Sequence, residues 1–142
     1  MVGEWAFWAL LSAGFAAATA VLAKAGSEGI DPDLATLVRT AVVLVCLVAL
    51  VTAAGKWKPA EPLSARTILL LVLSGLATGA SWLCYFRALK AGDVSKVAPV
   101  DKLSVVLVAV FAAVFLRERL SGREWLGVGL VAAGVLVLAL KR

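Results

Sequence analysis

Five long apolar runs constrain this chain more than any other feature of its sequence. A helix needs about 20 mostly apolar residues to cross the hydrocarbon core of a bilayer, with a usable range of about 17–25. Four runs reach that length, and the fifth gains a turn from Ser121-Gly-Arg-Glu124, which has the form of a capping box. The sequence therefore predicts an all-α membrane protein, a single domain over residues 1–142 with five transmembrane helices at about 5–23, 34–54, 67–89, 97–116 and 125–140.

The composition excludes several functional classes. Hydrophobic residues make up 63% of the 142 residues and charged residues 16%, whereas soluble domains average roughly 45–50% and about 25%. A soluble chain of this length could not remove so much apolar surface from water, which excludes a soluble enzyme and a disordered tail. The net charge of +5 belongs in loops that face lipid headgroups. We therefore expect the bilayer, and not nucleic acid, as a partner.

The residues that usually carry catalysis or metal binding are missing or isolated. The sequence has no histidine, so no imidazole is present to bind a metal or relay a proton. Cys46 and Cys84 lie in separate apolar runs without a CxxC motif, which favours a packing role. We expect no enzyme activity, no metal and no cofactor. The first run follows Glu4 and no basic residue, and it is too long for a signal-peptide core, so we expect a retained helix.

Basic residues are divided evenly between the two membrane faces that five spans define. Orientation follows the bias of Lys and Arg between the faces, and here each face has six. Two interpretations stay open: insertion in both orientations, giving antiparallel pairs, or one orientation set by charges that this count misplaces. One face has Lys56, Lys58, Arg66, Arg117, Arg119 and Arg123, and the other has Lys24, Arg87, Lys90, Lys96, Lys141 and Arg142.

Three charged residues, Arg39, Asp101 and Lys102, lie inside apolar runs. An unpaired charge at mid-membrane costs about 2.5–3.5 kcal/mol, so each needs a partner or water. Arg39 comes eight residues after Asp31, and Asp101 eight residues after Asp93. Each lies about 12 Å along a helix that starts from the same face, so we expect an Arg39–Asp101 pair. Lys102 is turned about 100° from Asp101 and is expected to face another helix, a second subunit or a cavity. The alternative for Arg39 and Lys102 is extension to the headgroups.

Pro99 lies just before Asp101 in the fourth run. A proline inside a helix removes one backbone donor and frees a carbonyl, and irregular backbone at this depth is tolerated where it lines a cavity or packs on protein. The alternative is that Pro99 sits in the first turn of a helix that starts late. The sequence leaves both interpretations open.

The third run carries hydroxyl side chains on one helical face, with Trp82 beside them. Their spacing of i, i+4, i+7 and i+11 predicts the wall of a substrate pocket, although small and hydroxyl residues also serve helix packing. Arg87 falls off this face near the end of the run and is expected to extend to the headgroups. The hydroxyl face consists of Ser74, Thr78, Ser81 and Tyr85.

Several short motifs, in order, resemble the EamA-type half of the drug/metabolite transporter superfamily. Arg39 resembles an arginine often found near the start of the second helix, and the resemblance covers nearly the whole chain. The motifs are Tyr85-Phe-Arg-Ala-Leu89, Lys96-Val-Ala-Pro-Val-Asp-Lys-Leu103, Phe115-Leu-Arg-Glu-Arg-Leu120 and Trp125-Leu-Gly-Val-Gly129.

The resemblance implies both an architecture and an activity. Larger members resemble two five-helix halves in opposite topology, so a lone half implies an antiparallel pair, in agreement with the even charge count. The family exports small polar metabolites or drugs, often in exchange for protons, which implies a multi-pass protein of the bacterial inner membrane. Small four-helix relatives that export cations carry a carboxylate inside the first helix. This chain has none there, and Asp101 is the only carboxylate within the predicted spans.

These observations predict a homodimeric exporter of small polar, zwitterionic or anionic compounds, with alternating access at the dimer interface. Arg39 or Lys102 would bind a carboxylate, and Asp101 an amine or the coupling proton; amino-acid-like metabolites are the first candidates. The alternatives are a flippase-like carrier of a lipid-linked headgroup and a non-transporting helper subunit of a larger membrane complex. The predicted substrate-binding residues are Arg39, Asp101, Lys102, Thr78, Ser81, Trp82 and Tyr85.

Overall fold

A computed structural model describes residues 3–58 and 62–140 of the chain, and within these ranges it is helical with no strand. Five stretches are long and apolar enough to cross a membrane, namely α1, α2, α3, α4 together with α5, and α6. This confirms the all-helical fold with five spans. The helices are α1 (Glu4–Gly26), α2 (Pro32–Ala53), α3 (Ala65–Ala91), α4 (Val94–Asp101), α5 (Ser104–Phe115) and α6 (Gly122–Ala139).

The helices begin earlier than the apolar runs because their first turns are polar. The Asp31 carboxylate accepts hydrogen bonds from the backbone N–H groups of Asp33 and Leu34, at 2.9 and 3.3 Å, and Pro32 occupies the first helical position of α2. Such a cap satisfies donors that have no partner inside the helix. As a result, α2 starts at Pro32 rather than at residue 34, and Asp33 lies inside the second span. The expectation that Asp101 is the only carboxylate within the spans is therefore wrong.

Ser64 and Ser121 also cap helices, whereas Asp93 does not. Ser64 Oγ accepts from Thr67 N at 3.1 Å before α3, and Ser121 forms both halves of a capping box with Glu124 before α6. Asp93 occupies the cap position of α4, but its side chain makes no capping hydrogen bond. Its carboxylate instead pairs with Lys96 Nζ at 3.3 Å, because a nearby ammonium competes with the backbone donors for the same oxygen atoms.

The fourth span is interrupted, in contrast to the continuous helix expected over residues 97–116. Pro99 lies inside α4, and α4 ends at Asp101. The next turn is tightened by i→i+3 hydrogen bonds from Lys102 N to Pro99 O and from Leu103 N to Val100 O, both at 3.0 Å. Because the helix begins at Val94, Pro99 is not in its first turn. The interpretation of irregular backbone at this point is confirmed.

The contacts divide the chain into two units. One contains the chain up to Val21 and from Ala91 onward, and the other contains Leu22–Lys90. In the first unit, α6 packs against α4 and α5, and Ala109 and Val135 are buried. That all five spans form a single domain stays a prediction.

The unit of residues 22–90 is held together near the start of α2 and the end of α3. Leu89 is fully buried there, and Phe86 and Thr36 are also buried. Lys24 Nζ donates to the backbone oxygen of Leu89 at 2.6 Å, which satisfies a carbonyl in the last turn of α3. Elsewhere the spans are mainly exposed, with at most 11% of any span's most apolar stretch buried, as expected for helices whose solvent is the bilayer.

Candidate functional site

The Arg39 guanidinium lies over the face of an aromatic side chain. Its Cζ is 4.2 Å from the ring centroid of Trp82, and the Phe86 centroid is 5.8 Å away. A cation within about 6 Å of an aromatic ring centroid is attracted by the negative face of the ring. Trp82 and Phe86 are one helical turn apart on α3, so both rings can face the same point on α2. The structure therefore brings together two residues of the predicted site, Arg39 and Trp82.

Arg39 is half-buried, and its guanidinium offers planar hydrogen-bond donors. Among the described residues of its own unit, no carboxylate pairs with this guanidinium. The rings shield one face of the charge, but aromatic rings do not replace the in-plane hydrogen bonds that a guanidinium offers. Those donors match the two oxygen atoms of a carboxylate or phosphate. The arrangement is therefore suited to bind an anionic group next to Arg39, within the second span.

Asp101 and Lys102 contact each other at the interruption of the fourth span. Lys102 Nζ lies 3.3 Å from Asp101 Oδ2, so the two side chains pair, whereas the expectation that Lys102 faces another helix, a second subunit or a cavity stays a prediction. Adjacent residues of a regular helix diverge, but α4 ends at Asp101, and a long lysine side chain can then fold back. Arg39 and Asp101 belong to different units, and their pairing stays a prediction.

The hydroxyl face of α3 supplies the remaining predicted residues. Thr78 Oγ1 donates to the backbone oxygen of Ser74 at 2.9 Å, so part of its hydrogen-bonding capacity is used within the helix. Ser81 is exposed and Tyr85 is half-buried. Both flank Trp82 on α3, in the same unit as Arg39. A role in substrate binding stays a prediction for Thr78, Ser81 and Tyr85.

Arg87, which the sequence predicts to extend to the headgroups, has a partner on α2. Its Nε and Nη2 atoms contact the two carboxylate oxygens of Asp33 at 3.0 and 2.8 Å. Sequence reasoning missed this pair because Asp33 precedes the second apolar run and lies 54 positions from Arg87. It also missed Phe86 as the second ring near Arg39, although the four-residue spacing from Trp82 was a usable signal.

A groove of about 460 Å³ runs along α1 and is lined only by apolar or small side chains. Among the residues that the structure describes, none with a polar side chain and none of the predicted site borders this groove. An apolar groove on a membrane-crossing helix is a natural place for a lipid chain or a neighbouring helix, and it offers nothing to orient a polar substrate. Its lining residues are Phe7, Leu10, Leu11, Gly14, Phe15 and Ala18.

The chain is similar to known membrane transport proteins. The EamA-like transporter family matches residues 3–140. A protein of Sinorhizobium sp, named as an uncharacterized transporter in the cobO 3' region, is 58% identical over 139 residues, covering 98% of this chain and 99% of that protein.

Two more distant relatives carry the name probable 4-amino-4-deoxy-L-arabinose-phosphoundecaprenol flippase subunit ArnE. The one from Hamiltonella defensa is 27% identical over 86 residues, which is 61% of this chain and 76% of that protein. The one from Aeromonas hydrophila is 34% identical over 68 residues, which is 48% of this chain and 60% of that protein. No solved structure matches the chain significantly. The match over residues 3–140 and the five membrane-crossing helices together show a multi-pass membrane protein that belongs to the EamA-like transporter family.

Proposed function

We propose that this chain carries a small polar metabolite with an anionic group across a bacterial inner membrane. The observation that supports this most directly is the Arg39 guanidinium, held 4.2 Å above the Trp82 ring in a membrane-crossing helix. A charge inside a span is costly and often marks a substrate pathway, and the planar donors of a guanidinium match a carboxylate. An amino-acid-like metabolite is the first candidate, as an exported compound.

Asp101 is proposed to bind the amine of a zwitterionic compound, and Lys102 is the alternative to Arg39 for its carboxylate. At 3.3 Å they neutralise each other, which allows both to exist within a span at a low cost. A zwitterionic compound would offer each of them a replacement partner, an amine for Asp101 and a carboxylate for Lys102. Asp101 is also the proposed group that binds the coupling proton.

The working unit is proposed to be an antiparallel homodimer with alternating access between its two copies. The even distribution of six and six basic residues supports insertion in both orientations. To test this, single cysteines are introduced by Glu28→Cys and Leu63→Cys in a cysteine-free background. Both positions are exposed, and they lie beyond opposite ends of α2, so a membrane-crossing α2 is expected to place them on opposite faces. Each should react from both sides of the membrane with an impermeant reagent, and labelling from one side alone would contradict the antiparallel homodimer.

The substrate is tested first by binding and then by flux. Purified protein is screened by thermal shift in detergent against amino acids and small carboxylates, and the compounds that stabilise it are tested for uptake into proteoliposomes. Arg39→Gln should abolish stabilisation and uptake, and Arg39→Lys should retain part of both because a lysine keeps the charge but loses the planar fork. Arg66→Gln, near the start of α3, is the matched control and should behave like the unchanged protein. Full activity in Arg39→Gln would refute the proposal.

A lipid-linked headgroup is the second candidate, because two relatives are named as phosphoundecaprenol flippase subunits. A guanidinium binds phosphate as well as carboxylate, so Arg39 fits either substrate. Translocation of a phosphate-linked polyprenyl lipid in proteoliposomes, without uptake of any soluble compound, would favour this function. Activity of either kind that appears only after a second membrane protein is added would indicate a helper subunit.

A further inference from the structure

We propose that Arg87 is an outer anion-binding site on the way to Arg39, occupied in this structure by the carboxylate of Asp33. This rests on the proposed function, since it assumes that the transported compound carries an anionic group. Nε and Nη2 of Arg87 meet the two oxygens of Asp33 at 3.0 and 2.8 Å. The Asp33 carboxylate therefore shows that a planar group with two oxygen atoms fits against Arg87 in bidentate geometry.

The contact between Asp33 and Arg87 is open to competition. The Arg87 side chain is 63% exposed and the Asp33 side chain 51% exposed. Asp33 lies in the first turn of α2 and Arg87 four residues before the end of α3, at the helix ends that water and headgroups reach. Ion pairs in such surroundings are weak and are screened by dissolved ions. A carboxylate or phosphate that reaches this end of the helices can therefore displace Asp33 from Arg87.

Neither helix end depends on this ion pair for its termination. The start of α2 is capped by Asp31, and the end of α3 receives Lys24 Nζ on the Leu89 oxygen. Asp33 lies in the first turn of α2, where the positive end of the helix dipole stabilises a carboxylate after it leaves Arg87. After Asp33 is displaced, both helix ends therefore keep their capping partners. The Asp33 carboxylate remains stabilised by the dipole of α2.

Arg87 lies nearer the membrane face than Arg39, so an anion that enters from that face meets Arg87 first. Asp33 precedes Arg39 by six residues on α2, about 9 Å along the helix, and Arg87 follows Trp82 by five residues on α3, about 7.5 Å. Because α2 begins and α3 ends at the same end of this unit, the Asp33–Arg87 pair lies nearer the membrane face. An anion that leaves Arg87 needs to move by about one and a half helical turns to reach Arg39.

The native thiol of Cys84 reports on this site. Cys84 is exposed and lies three residues before Arg87 on α3, so the two side chains are neighbours on one helical face. In a Cys46→Ser background we compare its reaction rates with an anionic sulfonatoethyl and a cationic trimethylammonioethyl methanethiosulfonate, in nanodiscs. Asp33→Asn should raise the anionic-to-cationic rate ratio by about fivefold, because it removes the negative charge that compensates Arg87 near Cys84. Arg87→Gln should lower the ratio.

Competition with inorganic phosphate at constant ionic strength then tests binding. Phosphate should slow the anionic reagent at Cys84 in the unchanged pair and slow it more after Asp33→Asn. It should have no effect after Arg87→Gln and a smaller effect after Arg87→Lys, which keeps the charge without the fork. The matched control is Asp93→Asn, which breaks another exposed ion pair and should leave both the rate ratio and the phosphate effect unchanged.

Three results would overturn the proposal. They are equal phosphate protection with and without the Arg87 guanidinium, a rate ratio that does not respond to Asp33→Asn, and a Cys84 that neither reagent reaches. A failure of the proposed function gives a different result. In that case Arg39→Gln leaves transport intact, whereas phosphate protection at Cys84 depends on Arg87 and not on Arg39.

Discussion

Replacement of Trp82 by leucine removes the aromatic face on which the Arg39 guanidinium rests. The distance of 4.2 Å from Arg39 Cζ to the ring centroid is well inside the limit of about 6 Å for a cation–π contact, which contributes about 0.5–1 kcal/mol when exposed and about 2 kcal/mol when desolvated. Arg39 is half-buried, so we expect a coupling free energy of about 1–2 kcal/mol. Phe86, at 5.8 Å, should couple to Arg39 by less than about 0.5 kcal/mol because it lies near that limit.

The coupling is measured by a double-mutant cycle. The free energy of unfolding is determined in mixed micelles by titration with sodium dodecyl sulfate for Trp82→Leu, Arg39→Gln and the double variant. The two losses should sum to more than the loss in the double variant, because either single change already removes the contact. Trp57→Leu is the matched control: it removes an indole after the far end of α2, where Trp57 bonds to Thr52, and its loss should add to that of Arg39→Gln.

The reasoning would be refuted if the losses in free energy of unfolding from Trp82→Leu and Arg39→Gln were additive. Independent sites add within about 0.3–0.5 kcal/mol, so a coupling between Arg39 and Trp82 inside that range would mean that the ring does not stabilise the charge. A coupling to Phe86 as large as that to Trp82 would mean that the guanidinium lies between the rings and not over the indole. In either case the guanidinium would not be preorganised as the proposed anion site requires.

Three further predictions follow from buried, charged and capping residues. Leu89→Ala should lower the free energy of unfolding by about 2–5 kcal/mol, because Leu89 is fully buried, whereas Leu73→Ala, on the exposed surface of the same helix, should have a much smaller effect. Asp101→Asn should abolish uptake driven by a pH gradient and keep passive exchange, whereas Lys102→Gln should weaken binding of anionic compounds and keep uptake pH-driven; the reverse pattern in flux assays would assign the coupling proton to Lys102. Ser121→Ala should lower the free energy of unfolding by about 1 kcal/mol. An unchanged free energy of unfolding in this variant would show that the capping box is not needed to start α6.

The number and type of the helices could be predicted from sequence because length and hydropathy are local properties. An apolar run of about 20 residues has few alternatives to a membrane-crossing helix, since lipid cannot satisfy backbone hydrogen bonds. The caps at Asp31, Ser64 and Ser121 were also readable, because a capping side chain bonds to backbone only two or three residues away. The ends of the helices were less predictable, since polar residues such as Asp33 belong to helices without being apolar.

The sequence by itself determined that this chain is a five-span membrane protein with charges inside its spans, because composition and spacing dictate both. Only the tertiary structure decided which partners the charged side chains have. Arg39 rests on Trp82, Arg87 pairs with Asp33, and Lys102 folds back on Asp101. Two of these contacts join residues more than 40 positions apart, and the third depends on the end of a helix. The rotation and offset of α2 against α3 therefore decide what Arg39 is free to bind, and no local pattern in the sequence carries that information.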